Sequence, residues 1–362
     1  MKRFILKTAF FVAPFLILYV ITYSFSTSDA GDLMRLGYLP STDKNYRQKF
    51  TSFNHAIRFT ELSKLKEKGK VKNYKILTIG DSFSEQGQAG YQNILANDFS
   101  VLHVDRFISN NQIQKLIELC NGNFFDTYKV QYVILQCVER NLPNNLQNID
   151  NKTRITTQQI DSIIINHKPQ KEQNEYDFFS RTTLRFPYSA LKYFADKNYL
   201  ANGQVYNYNL NTTTLFSNHS NKLLFYYDDL MYTPKNNLPE STVKLNKILN
   251  NLSEKLKEKN ITLIFLPSPD KYDLYYNDIV DKQNLTQPKF FDHFKKLHKE
   301  FIYINSKEIL TQALSRKKDI YYFDDTHWSP IAASLIAQHI KEAIASHELS
   351  MNVQQHPHLS TK

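Results

Sequence analysis

Lys75-Ile76-Leu77-Thr78-Ile79-Gly80-Asp81-Ser82-Phe83-Ser84 is the stretch on which the reading of this chain turns. A short β-branched and apolar run stops at a glycine and passes into small polar residues, which predicts a strand turning into a helix from about Glu85. Strands without polar alternation belong to parallel sheets covered on both faces. The pattern recurs outward from here. Phe99–Val104 reads as a second strand, followed by a helix over Asn111–Cys120, and Tyr132–Gln136 reads as a third strand. Further on come a charged helix Ser241–Lys259, the strand Ile261–Leu266, a helix Phe291–Glu300, the strand Phe301–Ile304, a helix Lys307–Ser315 and an amphipathic helix Pro330–His347. This alternation predicts an α/β fold, a flavodoxin-like three-layer sandwich around a parallel sheet of about five strands.

Residues 142–240 break the pattern. They are rich in Asn, Gln, Thr and Tyr, and only Arg181–Lys197 reads as helical, so an insertion or lid beside the active edge is expected there. At the N-terminus, Lys2, Arg3 and Lys7 precede an apolar run from Thr8 to about Tyr23, at the border between a signal-peptide core and a short membrane span. Ser28-Asp29-Ala30 is a weak cleavage site, so an uncleaved membrane anchor is preferred, with the rest of the chain outside the cytoplasm. The expected organisation is an anchor at 1–26, a juxtamembrane segment at 27–70 with a charged helix around Glu61–Lys70, one domain at 71–348, and a disordered tail at 349–362.

Composition removes several function classes. Lys and Arg number 45 against 35 Asp and Glu, a net charge of +10. The lysines are scattered, as in Lys64, Lys66, Lys68, Lys70 and Lys72, without a dense arginine block. They read as solvated helix faces, and no nucleic-acid partner is expected. With 41% hydrophobic and 22% charged residues, the chain is neither wholly disordered nor a polytopic membrane protein. Its 8 glycines form no glycine-rich loop beside a strand, so no nucleotide, coenzyme A or other cofactor site is expected. Cys120 and Cys137, at the ends of a helix and a strand, are expected to be unpaired thiols.

Two motifs carry chemistry. Ser82 stands where a strand ends, at the carboxyl edge where open α/β sheets place ligands, and beside backbone N–H groups able to stabilise an oxyanion. Gly80 permits the tight turn and Asp81 caps and orients it. A plainer reading is a capping box, Ser82 with Glu85 three residues on. The second motif is Asp324-Asp325-Thr326-His327-Trp328-Ser329-Pro330. A histidine close behind a carboxylate is what a serine nucleophile needs: the imidazole takes the hydroxyl proton and the carboxylate fixes its tautomer. The plainer reading is a solvent-exposed loop histidine. One His with two Asp lacks the paired ligands of a metal site, and no metal is expected.

Together these motifs resemble the SGNH hydrolase superfamily. Asp-Thr-His-Trp, Gly-Asp-Ser-Phe, the N-terminal anchor and Pro269-Asp270-Lys271-Tyr272 after a strand look like the SGNH-like polysaccharide O-acetyltransferases related to the alginate acetylation proteins of bacterial envelopes. The resemblance implies a triad of Ser82, His327 and Asp325. Ordinary SGNH esterases use Asp-x-x-His, which would select Asp324 instead. Their Gly-x-Asn-Asp oxyanion block is absent, and Arg140 or Asn141, after the third strand, is the substitute donor; a salt bridge is the alternative role for Arg140. Asp81, Lys271, Tyr272 and Trp328 complete the expected substrate-binding set, although Lys271 and Tyr272 could equally be packing residues. The activity implied is O-acetyl transfer to a secreted or cell-surface polysaccharide through an acyl-enzyme, with acetyl delivered by a membrane-bound O-acyltransferase partner. Alternatives are an SGNH esterase and a non-catalytic glycan-binding assembly subunit.

Overall fold

The computed structural model describes residues 1–25, 31–37, 45–65, 71–108, 110–167, 200–201 and 204–355. The expected helix Arg181–Lys197 and the weak cleavage site Ser28-Asp29-Ala30 lie outside the described residues. Apart from a two-residue parallel pair, Lys72–Asn73 with Tyr128–Lys129, the strands among the described residues are β1 (Thr60–Glu61), β2 (Ile76–Ile79), β3 (Val101–Val104), β4 (Tyr132–Val138), β5 (Leu200–Ala201), β6 (Val205–Asn209), β7 (Lys222–Tyr226), β8 (Thr262–Ser268) and β9 (Ile302–Tyr303). Six of them form one sheet in the order β1-β3-β2-β4-β8-β9, and every neighbouring pair is parallel. Without β1, this is the flavodoxin-like order, whose topological switch point lies between β2 and β4.

β1 makes a sixth strand, where five were expected. Thr60 pairs with Leu102 and Glu61 with His103, so this edge strand exists through its neighbour. Two residues are too few to show a period, and tertiary pairing decides their conformation. The charged helix expected around Glu61–Lys70 is replaced by β1 and a single 3-10 turn at Leu62–Lys64. Residues 66–70 lie outside the described residues.

The principal helices are α1 (Lys2–Phe25), α2 (Gln112–Asn121), α3 (Thr157–Asn166), α4 (Pro239–Lys257), α5 (Ser306–Leu314) and α6 (Pro330–Gln355). Successive strand residues point to opposite faces, so each central strand feeds two cores. Leu77, Ile79, Val133 and Leu135 pack on one side with Leu116 of α2 and Leu249 and Leu252 of α4. Ile76, Ile134 and Ile264 pack on the other with Leu310 of α5 and Ile336 and Ile340 of α6. Each such side chain contributes about 1.5–3 kcal/mol by leaving water, which explains why the strands show no polar alternation. Asn111 Oδ1 accepts from Gln114 N at 3.1 Å and starts α2. α6 continues to Gln355, so the tail expected to be disordered from 349 is helical that far; residues 356–362 are outside the described residues.

Between β4 and α4, β5, β6 and β7 form a separate antiparallel sheet. Val205, Leu223 and Phe225 from it are buried in the same core as α6. This part of the chain therefore helps build the body of the protein rather than flapping over it. α1 is apolar on all sides: Lys2–Ile21 has a mean hydropathy of 2.3 and none of it is buried in the protein, so by length and composition it can cross a membrane.

Cys120 and Cys137 are both buried and unpaired. Burial pushes the Cys120 thiol up to about 12 and that of Cys137 well above the ordinary range. Both should therefore ignore a thiol reagent at pH 8 in the native protein and react together on denaturation. Rapid labelling of either in the folded protein would contradict this packing.

Candidate active site

The turn that carries Ser82 is fixed by crowding. β2 ends at Ile79, and a Cβ on Gly80 would overlap Ser84 Oγ and Gln136 Oε1. Only glycine leaves room for the chain to pass this close to β4. Gln136 Oε1 accepts from Asp81 N at 3.0 Å and Ser84 Oγ at 2.9 Å, while its Nε2 donates to Ser268 Oγ at 3.0 Å. One buried amide thus ties the turn to β4 and β8. Asp81 accepts from Phe83 N at 3.0 Å and from Val138 N at 2.5 Å, so it caps the turn and pins it across the switch point.

The helix expected from Glu85 does not form there. Ser82–Ser84 is one 3-10 turn, and the next α-helix is Tyr91–Leu95. The capping-box reading of Ser82 also fails. Glu85 accepts from Arg106 N at 2.7 Å and contacts His103 Nε2 at 3.3 Å, while the Ser82 hydroxyl faces His327.

The histidine loop is closed by a bridge between Tyr321 and Trp328. From beneath, Lys271 Nζ donates to the carbonyls of Tyr322 at 2.7 Å, Phe323 at 2.8 Å and Asp325 at 3.1 Å. From the side, Trp328 Nε1 donates to Gln86 Oε1 at 2.9 Å and Gln86 Nε2 donates to the Trp328 carbonyl at 2.7 Å. Phe83 packs edge-on to the indole and against the His327 ring, with centroids at 5.1 and 4.9 Å. The result is a chain of short contacts: Ser82 Oγ to His327 Nε2 at 2.8 Å, and His327 Nδ1 to Asp325 Oδ1 at 2.6 Å.

The two adjacent aspartates share Arg47, but only Asp325 reaches the imidazole. Asp325 faces the imidazole and also accepts from His327 N at 3.0 Å. Asp324 instead takes Arg47 Nη2 at 2.7 Å and the Gly31 N–H at 3.0 Å. Arg47 reaches Asp325 as well, at 2.9 Å, and its guanidinium stacks 3.8 Å from the Tyr322 ring centroid. Burial by itself would raise the Asp325 carboxyl, but charge and hydrogen bonds from His327, with Arg47, hold it well below the usual range. For His327, burial would lower the pKa, and Asp325, followed by Asp32, brings it above 6.5.

The remaining expected site residues divide. Arg140 sits at the carboxyl end of β4, buried, with Nη1 paired to Asp229 at 3.0 Å and Asp270 at 2.9 Å. Its guanidinium lies 5.7 Å from the centroids of Phe83 and Tyr226. Asn141 is half-buried and heads the short helix Leu142–Asn145 without a side-chain cap bond. Lys271, Tyr272 and Trp328 are fully buried. Tyr272 donates to the Thr286 carbonyl at 2.7 Å and packs on Phe225. These three support the site from below rather than line the crevice; a residue just after a strand enters the crevice only if its side chain is not drawn into the core.

Sequence reading missed Asp32, Arg47 and the close approach at Gly31. They come from a segment whose only signal is the apolar trio Leu33, Met34 and Leu36, which says that something is buried but not against what. Donor atoms of Asp32, Asp325 and His327 lie within 4.8 Å of one another, close enough to share an ion. Each of the three residues already has hydrogen-bond partners, Thr326 N for Asp32, Arg47 for Asp325 and Ser82 for His327.

Lys271→Ala should cost about 3 kcal/mol in urea unfolding, because one buried and two half-buried carbonyls lose their donor. A loss under about 0.5 kcal/mol would mean that the loop supports itself.

Residues 221–361 match the family model ALGX, described as the SGNH hydrolase-like domain of the acetyltransferase AlgX. Asp325 and His327 lie inside the matched stretch, whereas Ser82 lies outside it and joins them through the fold. Comparison with curated proteins and with solved structures found no match. Over residues 221–361 the chain is thus similar to the SGNH hydrolase-like domain of the acetyltransferase AlgX, and its six-stranded parallel sheet agrees with an SGNH-like domain.

Proposed function

We propose that the protein is an O-acetyltransferase acting on a secreted or cell-surface polysaccharide, with Ser82 as nucleophile, His327 as general base and Asp325 as the carboxylate that orients it. The observation that carries this reading is the 2.8 and 2.6 Å relay from Ser82 Oγ through His327 to Asp325. Ser82 gives its proton to Nε2 as Oγ attacks the acetyl carbonyl, and His327 returns that proton to the departing group. A sugar hydroxyl then loses its proton to His327, attacks the acyl-enzyme and frees Ser82. The oxyanion is stabilised by the Ser82 N–H and by Arg140, whose two ion pairs both use Nη1 and so leave the rest of the fork to serve.

The acetyl donor has to come from elsewhere. α1 is suited to hold the domain at the outer face of a membrane, where cytosolic acetyl-CoA is out of reach. Delivery by a membrane-bound O-acyltransferase fits this arrangement. Tyr226 of β7, half-buried, stands beside Arg140 and is the aromatic side chain nearest to hand for an acceptor glycan.

Ser82→Ala should abolish both hydrolysis of p-nitrophenyl acetate and acetylation of polysaccharide, with its thermal midpoint nearly unchanged. Full activity in that variant excludes the mechanism, whereas hydrolysis without transfer to any glycan identifies an esterase. Asp325→Asn should lower kcat by about 10³–10⁴, as the histidine loses its tautomer, while Asp324→Asn should cost less than about tenfold. The reverse ranking would select Asp324 as the triad acid.

Activity needs a neutral His327, and its pKa is raised. The acid limb of kcat/KM should therefore have its midpoint above pH 6.5. A midpoint at or below 6.5 would show that the imidazolium is not stabilised by its carboxylates.

A further inference from the structure

Residues ahead of the sheet are built into the acid end of the relay. The N–H groups of Leu33 and Met34 donate to the Asp324 carbonyl at 3.1 and 3.3 Å, and Gly31 N donates to the Asp324 carboxylate at 3.0 Å. Asp32 N reaches Asp325 Oδ2 at 3.3 Å. The Asp32 side chain accepts from Thr326 N at 2.7 Å through Oδ1 and places Oδ2 3.5 Å from His327 Nδ1. Leu33 and Met34 are buried, which anchors the segment independently of these polar bonds. At Gly31 a Cβ would overlap the Asp324 carbonyl oxygen and Arg47 Nη2, so the backbone lies flush against the loop.

We propose that Asp32 is a second carboxylate for His327, a positioning residue that shares the Nδ1 side of the ring with Asp325 and makes the segment from Gly31 onward part of the catalytic unit. The inference rests on the Ser82–His327 reading above. At 2.6 Å, Asp325 takes the Nδ1 proton; at 3.5 Å, Asp32 acts mainly through its charge. When the imidazole accepts the Ser82 proton at Nε2, the new positive charge lies beside two carboxylates. The groups that set its field are Asp325 on the loop, Asp32 on the preceding segment and Arg140 beyond β4, with Arg47, Asp324 and Lys271 bearing on it through the two acids. Asp32 is itself raised to about 7 by burial and then by Asp325, as two close carboxylates require. Its charge is therefore complete only on the alkaline side of neutrality, where a general-base histidine works.

The test uses the full chain with p-nitrophenyl acetate. Asp32→Asn keeps an oxygen for Thr326 N but removes the charge. We expect kcat to fall roughly tenfold, the loss of one charge-assisted contact, and the acid limb to move down by about one pH unit, because the imidazolium loses a stabilising neighbour. Asp32→Glu should recover part of both. Gly31→Ala keeps every charge but lifts the segment from the loop, and should move kcat and the limb in the same direction; it carries the test if Asp32→Asn does not fold. An unchanged limb in these variants, with or without a lower kcat, reduces Asp32 to a brace and overturns the proposal. Ser82→Ala measured alongside separates the two ideas. Activity surviving there removes the proposed function, whereas an inert Ser82→Ala with an unaffected Asp32→Asn removes only the role of Asp32.

Discussion

Lys271 Nζ is buried beneath the histidine loop and gives its three N–H groups to three successive-turn carbonyls, those of Tyr322, Phe323 and Asp325. Burial draws its pKa down to about 7 against the pull of Asp324 and Asp325. Three carbonyls match the three donors of an ammonium, whereas a neutral amine would turn a lone pair on one of them. Taking this cation out of water costs several kcal/mol, and the loop recovers that cost only in the one conformation that brings all three oxygens inward. Asp325 and His327 stand on this same loop, so the contact with Lys271 bears on the geometry of their pair.

A second constraint lies around Arg140, at the carboxyl end of β4. Arg140 is held by Asp229, from the segment after β7, and by Asp270, from the end of β8. Glu139, Asp270 and Asp273 crowd the same buried region, and burial followed by mutual repulsion pushes Glu139 and Asp270 well above the carboxylate range. Lys307 pairs with Asp273 at 2.5 Å and relieves part of the charge. Two acids from different elements converge on the one nitrogen Nη1 of Arg140 and fix that end of its guanidinium. Such an arrangement favours recognition of an anion over bulk stabilisation. It also makes the region between β4 and α4 a supplier of active-site structure, since Asp229 comes from it.

How much of this was legible in the sequence depended on whether the signal was local. β2, β3, β4 and β8 announce themselves as apolar runs, because a strand buried on both faces has no alternative composition. The Gly80-Asp81-Ser82 turn was readable since glycine and a capping aspartate are local requirements, whereas Asp325 was preferred to Asp324 only through the resemblance of Asp-Thr-His-Trp to a known family. β1 was not readable, for two residues carry no period. The fate of Lys271 and Tyr272 depended on which way a chain turns after β8, which is decided by Phe225 and the loop carbonyls far away in sequence. Gln136, the amide that locks the nucleophile turn, looked like an ordinary strand residue. Asp32 and Arg47 were invisible for the same reason: a charge in a short linker acquires meaning only when the fold brings a partner to it.

The flush fit of Gly31 bears on how the chain can be divided. Removal of residues up to Ala30 by a peptidase would spare the contacts that Gly31, Asp32, Leu33 and Met34 make to the Asp324–His327 loop. It would also replace the Gly31 amide, now 3.0 Å from Asp324, with a free α-ammonium, turning a neutral donor into a charged one at a carboxylate that already holds Arg47. A cut even two residues later would release Asp32 from the histidine. A cut before Gly31 would leave both carboxylates at His327, whereas one after Asp32 would leave Asp325 alone there.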